Sequence, residues 1–186
     1  VRATEQGIRI VARDGTPGPW LVQQTLPKNP RIVEVDRARR HAFVAAGFPA
    51  ISHLRVIDLA TARTVVELVD HNRRIQRAVL VAGTRPTVVL SDDRGQVFMV
   101  TPAGVTPLIN LGGTGSTTRV EIAASPTGRH VALAAGRELV VFDVDRDVEL
   151  LRDQLSTPCT AIAWSVDGTR LAAAALDTEI RIWDPN

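Results

Sequence analysis

The chain has 186 residues and a formal net charge of +2, from 22 basic and 20 acidic residues. This length suffices for a domain with a hydrophobic core. The nearly balanced charge lacks the footprint of a protein that binds nucleic acid or an anionic membrane. A single cysteine, Cys159, excludes an internal disulfide and a cysteine-based zinc site. No run of 18 apolar residues occurs, so no membrane insertion is expected.

Residues 1–26 contain two predicted strands, the first ending near Ala12 and the second spanning Trp20 to Thr25. After them, short apolar runs alternate with turn-forming residues along the rest of the chain, which predicts short antiparallel strands. Taken four at a time, the strands form units at 27–69, 70–112 and 113–155, and an incomplete unit at 156–186. The sequence therefore predicts an all-β chain that repeats one four-stranded unit, with the last two strands of a preceding unit at 1–26.

The last unit shows the repeated pattern most clearly. Its predicted strands are Ala161–Ser165, Leu171–Ala175 and Glu179–Trp183. The turn between the first two contains Asp167 and Gly168, a pair that favours a tight hairpin because glycine adopts positive φ without steric cost. The preceding unit has Gly128 in the equivalent turn and a third strand that ends at Asp143. The two units are therefore expected to fold alike.

The repeat has a nearly constant length. The equivalent third-strand ends are Ala12, Asp58, Thr101, Asp143 and Asp184. Their separations are 46, 43, 42 and 41 residues. A period of about 40–45 residues with four short strands is typical of propeller blades, whereas a solenoid coil is usually shorter and a sandwich has no reason to repeat one phrase.

Specific residues carry a resemblance to known repeats. Trp164-Ser165-Val166-Asp167-Gly168, followed by Asp177 to Asp184 with its Ile182-Trp183-Asp184 end, resembles the end of a WD repeat. Ser125-Pro126-Thr127-Gly128 resembles a more divergent copy, and Val56-Ile57-Asp58-Leu59-Ala60-Thr61 is more similar to bacterial repeats with a YVTN signature. The resemblance implies a WD-repeat or YVTN-type bacterial β-propeller of four-stranded antiparallel blades.

The sequence departs from the WD pattern before the first strand of the last unit. Leu155-Ser156-Thr157-Pro158 stands where the family has a Gly-His pair. The family's hydrogen-bonded His-to-Asp network is therefore not expected. Asp177 is expected to cap its own tight turn instead.

About four blades are predicted, fewer than the roughly six to eight that usually close a ring of this kind. An open arc would expose apolar blade flanks. The missing blades are expected to come from the rest of a longer polypeptide or from another subunit. In a third solution, Trp20 to Thr25 pairs with the last third strand and closes a four-bladed ring.

Motifs that could carry chemistry are better explained by turns. Gly112 to Thr117 is glycine-rich, but predicted strands flank it and no P-loop lysine follows. Asp143, Asp145 and Asp147 alternate as in a calcium loop, but the glycine and the bidentate glutamate of that loop are missing. The four histidines lack metal-ligand spacing. We therefore predict no catalytic residue, no metal site and no cofactor.

Partner-binding residues are predicted on one rim of the propeller, where connections between blades meet the turns between second and third strands. The candidates are Lys28, Phe48, His53, His71, Arg73, Arg74, Arg94 and Arg137. Arginine is favoured in interface hot spots and binds carboxylates through paired hydrogen bonds. This rim is therefore expected to bind a protein partner.

The leading functional prediction is a non-catalytic interaction or sensing module, the C-terminal WD-repeat part of a larger bacterial regulatory or signalling protein. Lys28 is the only lysine, which indicates a GC-rich bacterial genome. A cytoplasmic location is expected, or an extracytoplasmic one if a signal peptide has been removed. The alternatives are an enzymatic or cofactor-binding propeller, of the lactonase-like or quinoprotein-like kind, and a structural arc that dimerises through its exposed flanks.

Overall fold

The computed structural model describes residues 2–4, 6–23, 30–36, 40–47, 51–69, 74–83, 85–112 and 119–185. Within these residues the chain forms eighteen β-strands and no helix. The strands form five antiparallel sheets, and neighbours in the chain are neighbours in each sheet. The predicted all-β architecture is confirmed. No helix in this part of the chain is long and apolar enough to cross a membrane.

The sheets follow one another along the chain. The first contains β1 (Arg2–Thr4), β2 (Gly7–Val11) and β3 (Pro17–Gln23). The second contains β4 (Pro30–Val35), β5 (His41–Ala46), β6 (His53–Asp58) and β7 (Thr64–Val69). The third contains β8 (Ile75–Ala82), β9 (Pro86–Asp92), β10 (Gln96–Thr101) and β11 (Gly104–Asn110). The fourth contains β12 (Val120–Ala124), β13 (His130–Ala135), β14 (Glu138–Asp143) and β15 (Val148–Gln154). The fifth contains β16 (Cys159–Trp164), β17 (Leu171–Ala175) and β18 (Ile180–Trp183).

The first sheet has three strands where the sequence predicts two. The additional strand, β1, has only three residues and pairs Arg2 to Thr4 with Gly7 to Arg9 of β2. So short a strand cannot show the alternation of apolar and polar residues on which the prediction relied. The neighbouring β3 lies on the other side of β2.

Contacts divide the chain into two compact units, residues 1–74 and 75–186. The core of the first unit joins its two sheets. Ile8 of β2 is fully buried with Ala42, Val44 and Ile57 of the second sheet, and Leu21 packs against the same cluster.

The second unit is built around its middle sheet, which is buried on both faces. The face toward the third sheet contributes Val131, Leu133, Val140 and Phe142. The face toward the fifth sheet contributes Ala132, Ala134, Leu139 and Val141, which pack with Leu171, Ile162, Trp164 and Trp183. Because side chains alternate along a strand, a sheet covered on both sides needs apolar residues at nearly every position. This requirement explains the unbroken apolar run from Val131 to Ala135 in β13.

The glycine turns of the last two sheets confirm the repeat. Gly128 and Gly168 both have a φ of 74°. The Gly128 amide donates to the Ser125 carbonyl, and the Gly168 amide donates to the Ser165 carbonyl, each at 2.9 Å. The two glycines therefore occupy the same structural position.

The ends of the third strands are also alike. The Asp58 carboxylate accepts hydrogen bonds from the Thr61 amide at 2.8 Å and the Ala60 amide at 3.0 Å. The Asp143 carboxylate accepts hydrogen bonds from the amides of Asp145 and Arg146, at 3.1 Å each. Each aspartate thus stabilises the turn into the fourth strand, and the Thr61 amide is the main reason that the pKa of Asp58 is lowered.

Candidate partner-binding face

Half of the predicted partner-binding residues lie outside the described residues. These are Lys28, Phe48, His71 and Arg73. In the first unit, His53 opens β6 and is half-buried, with Nδ1 3.5 Å from the Ser52 hydroxyl, while Arg74 is exposed just before β8. Arg94 and Arg137 belong to the second unit, where each lies in the turn between the second and third strands of its sheet.

In the second unit, backbone hydrogen bonds tie the turns between second and third strands to the connections that leave each sheet. The Leu111 amide donates to the Gly95 carbonyl at 2.9 Å, and the Leu155 amide donates to the Arg137 carbonyl at 2.8 Å. We call the surface formed by residues 92–95, 111–112, 136–137, 155–158 and 176–179 the loop face. The predicted proximity of turns and connections is therefore confirmed within this unit.

The contact between Arg94 and the outgoing connection requires glycine. A Cβ at position 112 would lie 1.7 Å from the Arg94 carbonyl oxygen, so any other residue would displace the backbone. The buried Asp92 accepts hydrogen bonds from the amides of Arg94 and Gln96, both at 3.0 Å. Gly112 thus has a packing role here, and the start of the glycine-rich segment is part of a fixed turn.

Arg94 and Arg137 both present exposed side chains on this framework. The Arg137 Nε donates to the Leu155 carbonyl at 2.8 Å, which holds the guanidinium against the connection. Among the residues that the structure describes, neither arginine forms an ion pair with a carboxylate. Their guanidinium groups can therefore accept an external anion.

The fifth sheet contributes negative charge to the loop face. Ser156 Oγ lies 2.5 Å from an Asp177 carboxylate oxygen and 2.9 Å from a Glu179 carboxylate oxygen, and shares its single proton between them. This hydroxyl is the main cause of the lowered pKa of Asp177, and a hydrogen bond from the Arg181 side chain is the main cause of the lowered pKa of Glu179. Asp177 also accepts from the Glu179 amide at 3.2 Å, which confirms that it caps its own turn.

A charged cluster that the sequence did not reveal joins β8 and β12. Glu121 Oε1 accepts from Arg77 Nη2 at 3.0 Å and from Arg119 Nε at 2.7 Å. The Glu121 side chain is largely buried and that of Arg119 is largely exposed. Arg77 and Glu121 are 44 positions apart, so spacing does not pair them. Their signal was one charged residue near the start of an otherwise apolar first strand in each of two successive units.

Cys159 has the properties of a structural thiol. Burial raises its pKa, and Sγ lies 3.5 Å from the Ala161 carbonyl oxygen. A raised pKa keeps the group protonated near neutral pH, and the thiol is a much weaker nucleophile than the thiolate. No cluster of three or more histidine, cysteine or acidic side chains suited to a metal occurs among the described residues.

The opposite end of the fourth sheet holds a second polar cluster. Asp143 is fully buried and accepts a hydrogen bond from Arg129 Nε at 2.8 Å. Burial raises the pKa of Asp143, but the bonds from Arg129 and from nearby amides outweigh that effect and leave the pKa lowered. Its carboxylate is thus engaged within the turn, and at this aspartate the expectation of a solvated turn is wrong, because Asp143 is buried while Asp147 is exposed.

His130 is packed beside this cluster. Its ring centroid lies 6.0 Å from that of Trp164, and its Nδ1 is buried with no hydrogen-bond partner among the described residues. Burial lowers its pKa, which favours the neutral ring. Trp164 Nε1 donates to the Ala123 carbonyl at 3.0 Å and so fixes the fifth sheet to the fourth.

Comparisons with known proteins identify the fold. No protein-family model matches the sequence, and no curated protein matches it. Among solved structures, the Cps50 (Swd1) β-propeller domain of Myceliophteria thermophila is similar, with a TM-score of 0.64 and 16% identity over 91% of this chain and 55% of that one. The complex of KlAtg21 with the coiled-coil of AgAtg16 is also similar, with a TM-score of 0.63 and 17% identity over 97% of this chain and 60% of that one.

These identities are low enough that the likeness shows the fold alone. The chain spans little more than half the length of the solved chains that it matches. Together with the five antiparallel sheets and the equivalent turns at Gly128 and Gly168, the likeness establishes the fold class. The chain has a β-propeller fold with antiparallel blades.

Proposed function

We propose that the chain is a non-catalytic protein-interaction module that binds an acidic segment of a partner protein through the loop face. The observation that carries the proposal is the pair of exposed guanidinium groups, Arg94 and Arg137, on equivalent turns of successive sheets. Neither has a carboxylate partner in the described part of the chain. Arginine binds carboxylates in a planar, two-bond geometry, so two such groups on a fixed framework suit an acidic peptide.

The framework limits the entropy that binding must overcome. Asp92 and Gly112 hold the Arg94 turn, and the bond from Arg137 Nε to the Leu155 carbonyl restrains the second side chain. A restrained side chain loses less freedom on binding than a mobile one. The acidic edge at Asp177 and Glu179 repels a segment that is acidic along its whole length, and so favours one placement of the partner.

The similar solved structures support an interaction role. One of them is a complex between KlAtg21 and a coiled-coil of AgAtg16, so a chain of this fold is found with a protein partner. The protonated state of Cys159 supports the non-catalytic part of the proposal, because the single thiol of the chain is a poor nucleophile.

The proposal extends to the cellular setting. We infer a cytoplasmic, C-terminal WD-repeat part of a larger bacterial regulatory or signalling protein, with the remaining blades supplied by the rest of that polypeptide or by another subunit. The support is the composition, with Lys28 as the only lysine, and the share of the similar solved chains that remains uncovered. The association of this fold with regulatory proteins is an argument from analogy.

Charge reversal tests the proposal. The double variant Arg94→Glu and Arg137→Glu should weaken binding of co-purifying proteins and of a fluorescent peptide that carries a cluster of glutamates at one end only. Two exposed ion pairs of about 0.2–1 kcal/mol each are lost and replaced by repulsion of similar size, which together predicts a roughly 4- to 900-fold higher Kd.

The control variant makes the same charge change elsewhere. Arg63 and Arg170 are exposed and lie outside the loop face. Arg63→Glu combined with Arg170→Glu should leave capture unchanged. Equal weakening by both double variants would show a general charge effect, and unchanged capture by the loop-face variant would contradict the proposal.

A further inference from the structure

Two histidines open the second strands of their sheets in the same register. His41 of β5 pairs with Asp58, the last residue of β6. His130 of β13 pairs with Asp143, the last residue of β14. The two rings thus occupy equivalent positions in the second and fourth sheets, and the repeat allows their surroundings to be compared residue by residue.

The residue that begins the turn before each histidine is different. The Asp36 amide donates to the His41 carbonyl at 3.0 Å, and the Ser125 amide donates to the His130 carbonyl at 2.8 Å, so Asp36 and Ser125 are equivalent. The Asp36 carboxylate lies 3.2 Å from His41 Nδ1. Ser125 Oγ instead lies 3.0 Å from Thr127 Oγ1, and His130 Nδ1 has no hydrogen-bond partner in the described part of the chain. His130 therefore lacks the acceptor that the repeat supplies to His41.

The environment of the His130 ring disfavours a second proton. The residue is only 6% exposed, and its Nδ1 atom is buried. A neutral imidazole can keep its single proton on Nε2, whereas the charged ring carries an N–H group on both nitrogens. Protonation would therefore leave the Nδ1–H group buried without an acceptor, which costs free energy.

The charges around the ring also resist a further proton. Asp143 pairs with Arg129 at 2.8 Å and with Arg146 at 3.8 Å, so these three groups together carry one net positive charge. Burial is the main cause of the lowered pKa of His130, and Arg129 adds to it, while Asp143 acts in the opposite direction. From the fifth sheet the ring is contacted by Trp164, which has no charge.

Trp164 connects the His130 ring to the packing between the fourth and fifth sheets. The two ring centroids are 6.0 Å apart, and Trp164 Nε1 donates to the Ala123 carbonyl at 3.0 Å. We call this group of three residues the Trp164 joint. A cation is attracted to the face of a tryptophan ring, but about 6 Å is the outer limit of that attraction, so it does not compensate for a buried, unpaired N–H group.

We propose that the Trp164 joint is sensitive to protons: a proton from solvent that binds His130 displaces the Trp164 ring and breaks its hydrogen bond to the Ala123 carbonyl. The displacement admits water to the imidazolium, so each of its N–H groups gains an acceptor. The fifth sheet is loosened at this end while the pairing of its own strands stays intact. This inference does not rest on the loop-face proposal, because it uses the opposite end of the fourth sheet.

The expected pH dependence follows from linkage between protonation and opening. In the open joint the ring is accessible to water and its pKa is about 6.5, whereas the closed joint resists the proton. Opening therefore takes up one proton below about pH 6.5, and the ratio of open to closed joint should rise about tenfold for each pH unit below that value. The rise ends where the closed joint is itself protonated, and above about pH 6.5 the ratio should be constant.

Fluorine NMR of the 186-residue protein, labelled with 5-fluorotryptophan, measures the opening. The label reports on the three tryptophans of the chain, and Trp164→Phe assigns the Trp164 signal. As the pH is lowered from about 8 to about 5, the Trp164 signal should shift or split with the steepness of a one-proton transition. The Trp20 signal, from the first unit, should stay constant.

Matched variants identify the group that takes up the proton. His130→Gln does not titrate in this range, so its Trp164 signal should not change with pH. His41→Gln makes the same change at the equivalent position of the second sheet and should leave the Trp164 response intact. Ser125→Asp supplies the carboxylate that Asp36 supplies to His41, so the charged ring is stabilised inside the closed joint and the Trp164 response should be lost. If Ser125→Asp does not fold, as judged by circular dichroism, the two glutamine variants decide the question.

Three results would overturn the inference. The first is a Trp164 signal that is constant over the whole pH range. The second is a response in His130→Gln that equals that of the unmodified protein. The third is a simultaneous change of all three tryptophan signals with loss of the far-ultraviolet circular dichroism, because acid would then unfold the whole protein and not open one joint.

Discussion

The contact between the turns of the fourth and fifth sheets can be tested with two glycines that share a backbone conformation. Gly168 and Gly136 have φ values of 74° and 56°, both in the left-handed region. A Cβ at Gly168 would lie 2.7 Å from both Ser125 Oγ and Thr127 Cγ2, whereas a Cβ at Gly136 would meet nothing within 4 Å. Gly136→Ala therefore measures backbone strain alone, and Gly168→Ala measures strain together with the contact between sheets.

The expected magnitudes follow from these two effects. A left-handed alanine costs about 1–2 kcal/mol, of which the stiffer unfolded chain offsets roughly 0.4–1 kcal/mol. Gly136→Ala should thus lower the free energy of unfolding by about 1 kcal/mol. Overpacking adds about 1–3 kcal/mol, so Gly168→Ala should lower it by about 2–4 kcal/mol. The short side chains of Ser125 and Thr127 hydrogen-bond to each other at 3.0 Å and so have little room to yield.

Urea unfolding followed by tryptophan fluorescence provides the measurement. In a Trp20→Phe background, only Trp164 and Trp183 report, and both belong to the fifth sheet. The informative quantity is the difference in the free energy of unfolding between Gly168→Ala and Gly136→Ala, because the backbone strain that both variants share cancels in it. Equal losses of stability for the two variants would refute the packed turn contact, and with it the side-by-side arrangement of the fourth and fifth sheets.

Two further predictions concern ionisable groups in the second unit. Burial lowers the pKa of His130, so below about pH 6.5 the unfolded chain binds a proton at this residue more readily than the folded chain does. The free energy of unfolding should therefore be constant with respect to this group above about pH 6.5 and should decrease as the pH falls below that value. Urea titrations across this range should show the slope, which His130→Gln should reduce; an unchanged slope in His130→Gln would contradict the assignment. Trp183 Nε1 donates to Asp153 at 2.9 Å and is the main cause of the lowered pKa of Asp153, so Trp183→Phe should raise that pKa in a carboxyl NMR titration. Trp183→Phe should also lower the free energy of unfolding by about 1 kcal/mol near neutral pH, and by less in acid, where Asp153 is protonated. An unchanged pKa of Asp153 in the variant would show that the hydrogen bond is absent.

The repeat made most of the fold predictable, because turn chemistry is local. Gly128 and Gly168 stand out in the sequence since few residues tolerate their φ, and Asp58 and Asp143 stand out since they end strands and cap turns. These signals depend on residues within about four positions of one another, which a sequence displays directly. β1 lacked any such signal and could only be found through its pairing with β2.

The site was less predictable, because its contacts join residues from different repeats. Arg94 and Arg137 were placed on one rim by the blade geometry, and the structure adds the carbonyl and glycine contacts that hold them. The pairing of Arg77 with Glu121 depends on how two sheets pack, and single charges on separate strands do not reveal it. Half of the predicted residues, among them Arg73, lie outside the described part of the chain, and their role stays a prediction.

The two faces of the fourth sheet are chemically different, because β13 places Val131 and Leu133 on one face and Ala132 and Ala134 on the other. The fourth sheet offers its alanines, Ala132 and Ala134, to the bulky Leu171 and Trp164 of the fifth sheet. The fifth sheet offers Ala172 and Ala174 to no neighbour among the described residues, next to its exposed isoleucines.

The contact between the fourth and fifth sheets joins two different surfaces, one with alanines and one with bulky side chains, and is therefore heterologous. A contact of this kind adds further sheets in one direction and does not produce a two-fold symmetric pair. The face of the fifth sheet that carries Ala172, Ala174, Ile180 and Ile182 repeats the face of the fourth sheet that the fifth sheet covers, so it is suited to receive a bulky apolar face.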